Sequence, residues 1–326
     1  MKHLSHKKLH FVSGRFNRQL AGDIASRLSV QLGEANIADF ANGEIHCRYG
    51  ESIRGSDVFI FQSHGASDHG SINDAIMEQL IMIDAARRAS AKRISIVAPF
   101  LGYSRQDRKS EGREPITAKL VCQLFESAGA ERLLSIDLHS GQIQGFFHGP
   151  VDALTAMPVL TSYLRQIDDA PVVVSPDAGR VKVAERYANA LHADLAIVHK
   201  RRMRGEMNAV VARDVVGEVA GRTCIIIDDM IDTAGTIVAA ADQLIEHGAE
   251  RVLAAATHGV FSGPAVDRLK NSQIERVVVT DTLDMPPEKQ LDKIEVLSTA
   301  QIFADAISAV FDDTSVSEIF DGENLR

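Results

Sequence analysis

The chain contains no tryptophan, four tyrosines and only 5% aromatic residues, so it lacks the aromatic platforms on which the bases of a nucleic-acid strand stack. Cysteine is nearly as sparse. Cys47, Cys122 and Cys224 are odd in number, far apart and without a CxxC, which excludes a disulfide framework and a zinc knuckle and fits buried thiols in a reducing compartment. No apolar run approaches the ~18–20 residues of a membrane span, and residues 1–8 lead into a strand-like segment without a secretory apolar region. A cytoplasmic chain with no membrane contact is expected. Excess positive charge is also missing: 35 Lys+Arg against 44 Asp+Glu give a net charge of -9, which excludes a basic nucleic-acid coat and leaves room only for a local basic patch.

What is present is enough for two cores. At roughly 100–200 residues per domain, 326 residues of which 45% are apolar predict two domains. Short β-branched runs at residues 9–13, 58–62, 93–98, 133–137, 172–175, 195–199, 224–229, 252–257 and 277–280 alternate with helix-length periodic stretches at 17–28, 72–90, 116–127, 180–191 and 236–247. This is the pattern of an α/β fold with a mostly parallel sheet flanked by helices. Gly129-Ala130-Glu131-Arg132, leading into a strand that ends at His139, returns as Gly248-Ala249-Glu250-Arg251 and a strand that ends at His258. At the same offset Thr117 falls on Thr236, so a duplicated α/β domain is inferred. A glycine-capped helix-to-strand corner is the simpler account of the match. The boundary is placed between Asp152 and Pro158, giving domains 1–155 and 156–326.

The sharpest local signal is Cys224-Ile225-Ile226-Ile227-Asp228-Asp229-Met230-Ile231-Asp232-Thr233-Ala234-Gly235-Thr236. A buried strand runs into two carboxylates and then into a small-residue loop at a helix start. Backbone N–H groups and the Thr233 and Thr236 hydroxyls suit a phosphate there, while Asp228 and Asp229, anions themselves, suit a sugar diol or a divalent cation beside it. A phosphosugar satisfies both halves; an ordinary helix capped by Asp232 or Thr233 is the plainer alternative.

This string resembles the phosphoribosyl-pyrophosphate loop of the type I phosphoribosyltransferases. Further segments, Gly102-Tyr103-Ser104-Arg105-Gln106-Asp107-Arg108-Lys109, Arg113 to Lys119, Asp137-Leu138-His139 with Gln142 to Phe147, Ser175-Pro176-Asp177 and Lys200-Arg201-Arg202, are similar in order and spacing to the ribose-phosphate pyrophosphokinases. The resemblance runs from about Leu9 to Phe320. It implies two tandem phosphoribosyltransferase-like domains, of which only the second keeps the acidic loop. It also implies transfer of the diphosphoryl group of Mg-ATP to ribose 5-phosphate, giving phosphoribosyl pyrophosphate and AMP. On the same ground Arg105, Gln106 and Asp107 take ATP, with Phe40, Asn42, Gly43 and Glu44 reaching over from a neighbouring subunit. His139 and Asp177 take Mg2+, Lys200 is the catalytic lysine with Arg202 its partner, and Arg202, Asp228, Asp229 and Asp232 to Thr236 (Asp232, Thr233, Ala234, Gly235, Thr236) hold ribose 5-phosphate. A homo-oligomer, a hexamer built of dimers, is likewise implied. Taken by residue type alone, Arg105 also reads as a solvated basic turn, Asn42-Gly43 as a hairpin turn, His139 as a structural histidine, and the run Lys200, Arg201, Arg202, Arg204 as a solvated charge run or nucleic-acid contact.

Three positions depart from the family pattern. Arg180 stands where a second Gly is common after Asp177-Ala178-Gly179, which puts nucleotide or regulatory binding there in doubt; Met203 replaces a Pro after the basic run; residues 64–76 are longer and more polar than usual. Two other readings share the loop: a phosphoribosyltransferase consuming phosphoribosyl pyrophosphate, which needs only one such domain, and a non-catalytic partner, in which Lys200, Arg202 or His139 would be expected to be lost.

Overall fold

The computed structural model describes residues 7–201 and 212–320, with the backbone alone described at 200, 201, 212 and 213. The chain forms two compact units. The first contains β1 (Leu9–Ser13), α1 (Arg18–Arg27), β2 (Ala35–Asp39), β3 (Ile45–Tyr49), β4 (Asp57–Phe61), α2 (Ile72–Arg88), β5 (Arg93–Val97), α3 (Thr117–Ala128), β6 (Arg132–Ile136) and β7 (Val151–Leu154). The second contains α4 (Met157–Leu164), β8 (Val172–Ser175), α5 (Val181–Leu191), β9 (Asp194–Arg201), β10 (Ala212–Val216), β11 (Thr223–Ile231), α6 (Gly235–Glu246), β12 (Arg251–Gly259), α7 (Ala265–Lys270), β13 (Arg276–Thr280) and β14 (Ile294–Leu297).

A five-stranded sheet in the order β1-β4-β5-β6-β7, parallel throughout, centres the first unit. A seven-stranded sheet in the order β10-β9-β8-β11-β12-β13-β14 centres the second, parallel except for the edge strand β10. Central strands such as β4 (DVFIF) are buried at every position, which is why they read as continuous apolar runs and not as alternations. Each unit has its own core, built around Val58, Ile60, Ile96, Phe125 and Leu133 in one and Val174, Ile226, Leu244, Ala254 and Val279 in the other.

The inferred duplication has a structural counterpart. Ala130 N–H donates to Phe125 O at 3.0 Å where α3 ends, and Ala249 N–H donates to Leu244 O at 3.0 Å where α6 ends. Gly129 and Gly248, just before these residues, both have positive φ, 127° and 86°, a conformation that a side chain would strain.

A division into 1–155 and 156–326 needs correction at its far end. Thr282–Asp284 and, among the described residues, 299–320 group with the first unit. The reason is α8 (Ala300–Phe311), whose buried Phe303, Ile307 and Val310 leave it no stable exposed position, and which packs on α1. Lys7 Nζ adds a hydrogen bond to Phe311 O at 2.8 Å, and Arg93 Nη1 one to Asp313 Oδ1 at 2.9 Å. The first unit therefore closes only after most of the chain has been made.

Candidate active site

In the second unit β8 pairs with β11 only as far as Ile226, so Asp228 and Asp229 stand on the stretch of β11 that keeps β12 alone as its neighbour. This is the carboxyl end of a parallel sheet, at a position where strand pairing changes. Asp228 and Asp229 are 15% and 7% exposed. Asp229 N–H donates to Asp228 Oδ1 at 2.9 Å, and the two carboxylates crowd each other out of water. Burial foremost, then the hydrogen bond and charge of Asp229, pushes the Asp228 carboxyl up to about 8, with Arg180 pulling the other way.

The loop after the strand is held from behind. Arg268 Nη1 donates to Thr233 O at 2.9 Å, Ser262 N–H to Asp232 O at 2.9 Å and Phe261 N–H to Ile231 O at 3.0 Å. The carbonyls are thus taken up on the protein side. Ala234, in the left-handed region at φ 59°, is the N-cap of α6; neither Asp232 nor Thr233 caps the helix. Alanine has no oxygen to satisfy the first N–H groups, so the N-terminus of α6 offers donors and a partial positive charge to an anion. Thr233 and Thr236 are exposed beside it. A side chain at Gly235 would come within 3.2 Å of Arg268 Nη1, so the guanidinium that donates to Thr233 O would have to shift.

Two more segments reach the same edge of this sheet. After β8, Asp177 Oδ1 accepts from Gly179 N–H at 2.8 Å and Ser175 Oγ donates to Asp177 O at 2.7 Å. Ser175, the last residue of β8, is level with Ile197 of β9, so Lys200 lies beyond that level on the carboxyl side. Arg202, Met203 and Arg204 fall outside the described residues.

In the first unit Arg105 and Gln106 are exposed on the long loop between β5 and α3, whereas Asp107 is only 8% exposed. Gln142 Nε2 donates to Asp107 Oδ2 at 2.8 Å, which ties this loop to the one after β6 that carries His139. Asp107 thereby helps to hold two loops together. The start of the loop is fixed by His64, which is fully buried: Gly102 N–H donates to Nδ1 at 3.0 Å, Nε2–H donates to Gln79 Oε1 at 2.8 Å, and the ring stacks on Phe125. Burial pushes the His64 imidazole down to about 4. The unfolded chain thus binds the extra proton between about pH 6.5 and 4, and stability is lost as pH falls through that window, by about 3 kcal/mol in full. Urea midpoints at pH 7.5 and 5 are expected to differ less in His64→Gln than in the wild type. An equal acid shift in both would clear His64 of the effect.

Phe40 to Glu44 form the tip of the β2–β3 hairpin, with Phe40 56% exposed and Gly43 at φ 87°. The hairpin is anchored at Asp39, which receives Arg15 Nη1 and Nη2 at 2.6 and 2.8 Å; Arg15 Nε in turn donates to buried Glu78 at 2.6 Å. The Arg15, Gln142 and Arg268 contacts were not foreseen from sequence, since no local pattern announces a long-range partner. Among the described residues no three His, Cys, Asp or Glu side chains gather as a metal cluster.

A parallel sheet with an acidic pair at a strand end and an uncapped helix start one short loop later defines a phosphoribosyltransferase-like protein. Residues 9–129 match the family model of the N-terminal domain of ribose phosphate pyrophosphokinase, and residues 206–321 that of the phosphoribosyl synthetase-associated domain. The chain is 55% identical over 323 residues to a ribose-phosphate pyrophosphokinase of Streptomyces avermitilis, covering 98% of both chains. It is 54% identical over 321 residues to one of Bifidobacterium longum, covering 97% of this chain and 93% of the relative. The crystal structure of phosphoribosylpyrophosphate synthetase from Mycobacterium smegmatis matches with a TM-score of 0.88 at 48% identity, over 94% of this chain and 100% of that one. The chain belongs to the ribose-phosphate pyrophosphokinase family.

Proposed function

We propose that the chain transfers the β,γ-diphosphoryl group of Mg-ATP to the 1-hydroxyl of ribose 5-phosphate, releasing AMP and phosphoribosyl pyrophosphate for nucleotide biosynthesis in the cytoplasm. The observation that carries this reading is the order acidic pair, short loop, uncapped helix start at the end of β11. There the 5-phosphate takes the N–H groups at the start of α6 with the hydroxyls of Thr233 and Thr236, while the ribose hydroxyls donate to Asp228 and Asp229. Arg105 and Gln106 hold ATP, with Asp107 keeping their loop in place. Phe40, Asn42, Gly43 and Glu44 complete the nucleotide site of a neighbouring subunit in a homo-oligomer, a hexamer built of dimers. His139 and Asp177 would hold Mg2+ that enters with the nucleotide; when bound it neutralises phosphate charge. Lys200 and Arg202 place positive charge where negative charge builds on the transferring group. Alignment of the two substrates supplies most of the remaining acceleration.

A coupled assay with Mg-ATP and ribose 5-phosphate tests the reading. AMP and phosphoribosyl pyrophosphate are expected in equal amounts and only when both substrates are present. AMP released without ribose 5-phosphate, or neither product from a folded oligomer, would favour a hydrolytic contaminant or a non-catalytic partner.

A further inference from the structure

Position 180, one of the departures from the family pattern, bears directly on the acidic pair. Arg180 is the N-cap of α5, with φ -104° and ψ 4°, a conformation open to any residue, so the loss of glycine strains nothing. Its guanidinium lies against the end of β11: Nε is 3.1 Å from Asp228 Oδ1 and Nη2 is 2.7 Å from Asp229 Oδ1. The arginine side chain is itself only 16% exposed. Two neighbouring carboxylates withdrawn from water repel each other, and a cation set against both or a proton taken up by one relieves the repulsion. A single planar fork with one donor on each carboxylate supplies the compensating charge and fixes their separation. Glycine at 180 has neither reach nor charge.

A vicinal diol presents two hydroxyl donors at a fixed spacing. Two carboxylates locked at one spacing accept both together, and a sugar that lacks one hydroxyl leaves a desolvated acceptor without its partner. We propose that Arg180 is a specificity-determining positioning residue of the sugar site: it holds Asp228 and Asp229 at the spacing that reads the 2- and 3-hydroxyls of ribose 5-phosphate and so sets discrimination against 2-deoxyribose 5-phosphate. The inference rests on the reading of Asp228 and Asp229 as the ribose-binding pair. Arg180 acts through these carboxylates and touches no reacting atom.

The test compares kcat and KM for ribose 5-phosphate and 2-deoxyribose 5-phosphate, with saturating Mg-ATP, in the full-length wild type, Arg180→Gly and Arg180→Lys. Circular dichroism melts establish that each variant is folded. The wild type is expected to prefer ribose 5-phosphate by about 100-fold in kcat/KM, the scale set by losing one hydrogen bond to a charged group. In Arg180→Gly the value for ribose 5-phosphate falls by about 10-fold or more, chiefly through KM, while that for the deoxy sugar falls less than about 3-fold, so the preference shrinks. Arg180→Lys, which keeps the charge without the fork, recovers part of the preference. Equal losses for both sugars, or no loss, would overturn the proposal and leave Arg180 a support of the fold. Should Arg180→Gly fail to fold, the lysine variant decides: a preference reduced by about 3-fold is expected, and an unchanged one overturns the proposal. A wild type that makes no product from ribose 5-phosphate would instead sink the underlying reading of the site, a failure visible before any variant is made.

Discussion

Lys200→Ala is expected to lower kcat by about 10²- to 10³-fold while changing KM for ribose 5-phosphate less than about 3-fold, the loss seen when a donor that meets charge only in the transition state is removed. The expectation draws on backbone position. β9 is the neighbour of β8, the two run parallel, and Ile197 is level with Ser175 where β8 ends. Lys200 therefore lies past the end of β8, on the side of the sheet where Asp177 follows β8 and Asp228 stands on β11. Its backbone is still paired, opposite Arg213 of β10, so the residue is carried by a strand, which makes its place reproducible. If Lys200 were one charge in a solvated basic run, alanine would leave kcat within about 2-fold and weaken at most a salt-dependent attraction. Steady-state kinetics at two ionic strengths separates the outcomes: a kcat defect that added salt does not erase supports direct participation.

Much of this arrangement was legible in the sequence because parallel strands buried on both faces leave unbroken apolar runs. Strands β1, β4, β5, β6, β8, β11, β12 and β13 were visible for that reason, and so was the return of Gly129-Ala130-Glu131-Arg132 at Gly248. The turn of the β2–β3 hairpin was legible at Asn42-Gly43, but its strands were not, since they are short, half-exposed and mixed in composition, with polar Asn36, His46 and Arg48 inside them. Helix α8 is strongly apolar, but nothing local says that it packs on α1, nearly the whole chain length away. At the site, residue types announced the strand, loop and helix start from β11 to α6, because apolar run, paired acids and small residues are contiguous there. The role of Arg180 was invisible for the opposite reason. Its partners are two carboxylates on another strand, and by sequence its only mark was the absence of an expected glycine.

Asp228→Asn is expected to move stability and activity in opposite directions. The Asp228 carboxyl, ordinarily at 3.8, is pushed up to about 8 in the folded chain, by burial first and by Asp229 second. Between those values the folded state binds more protons than the unfolded one, so this group makes the protein less stable as pH rises from about 4 to 8, and its full cost is felt above 8. Asparagine keeps the shape and removes the titration. At pH 8 the variant should melt a few degrees higher than the wild type, at about 2–4 °C for each kcal/mol recovered, and near pH 4 the advantage should vanish. Above about pH 8 the same change replaces a charged acceptor by a neutral amide. Each ribose hydroxyl bonded to a charged group is worth about 1.5–3 kcal/mol, so kcat/KM for ribose 5-phosphate should fall by about 10²-fold. Melting curves at pH 8 and pH 4.5, with kinetics on the same preparations, check both arms. A lower melting temperature at pH 8 would mean that Arg180 gains more from two carboxylates than their burial costs, and the acidic pair would then be a stabilising ion cluster and not a strained site kept for its chemistry.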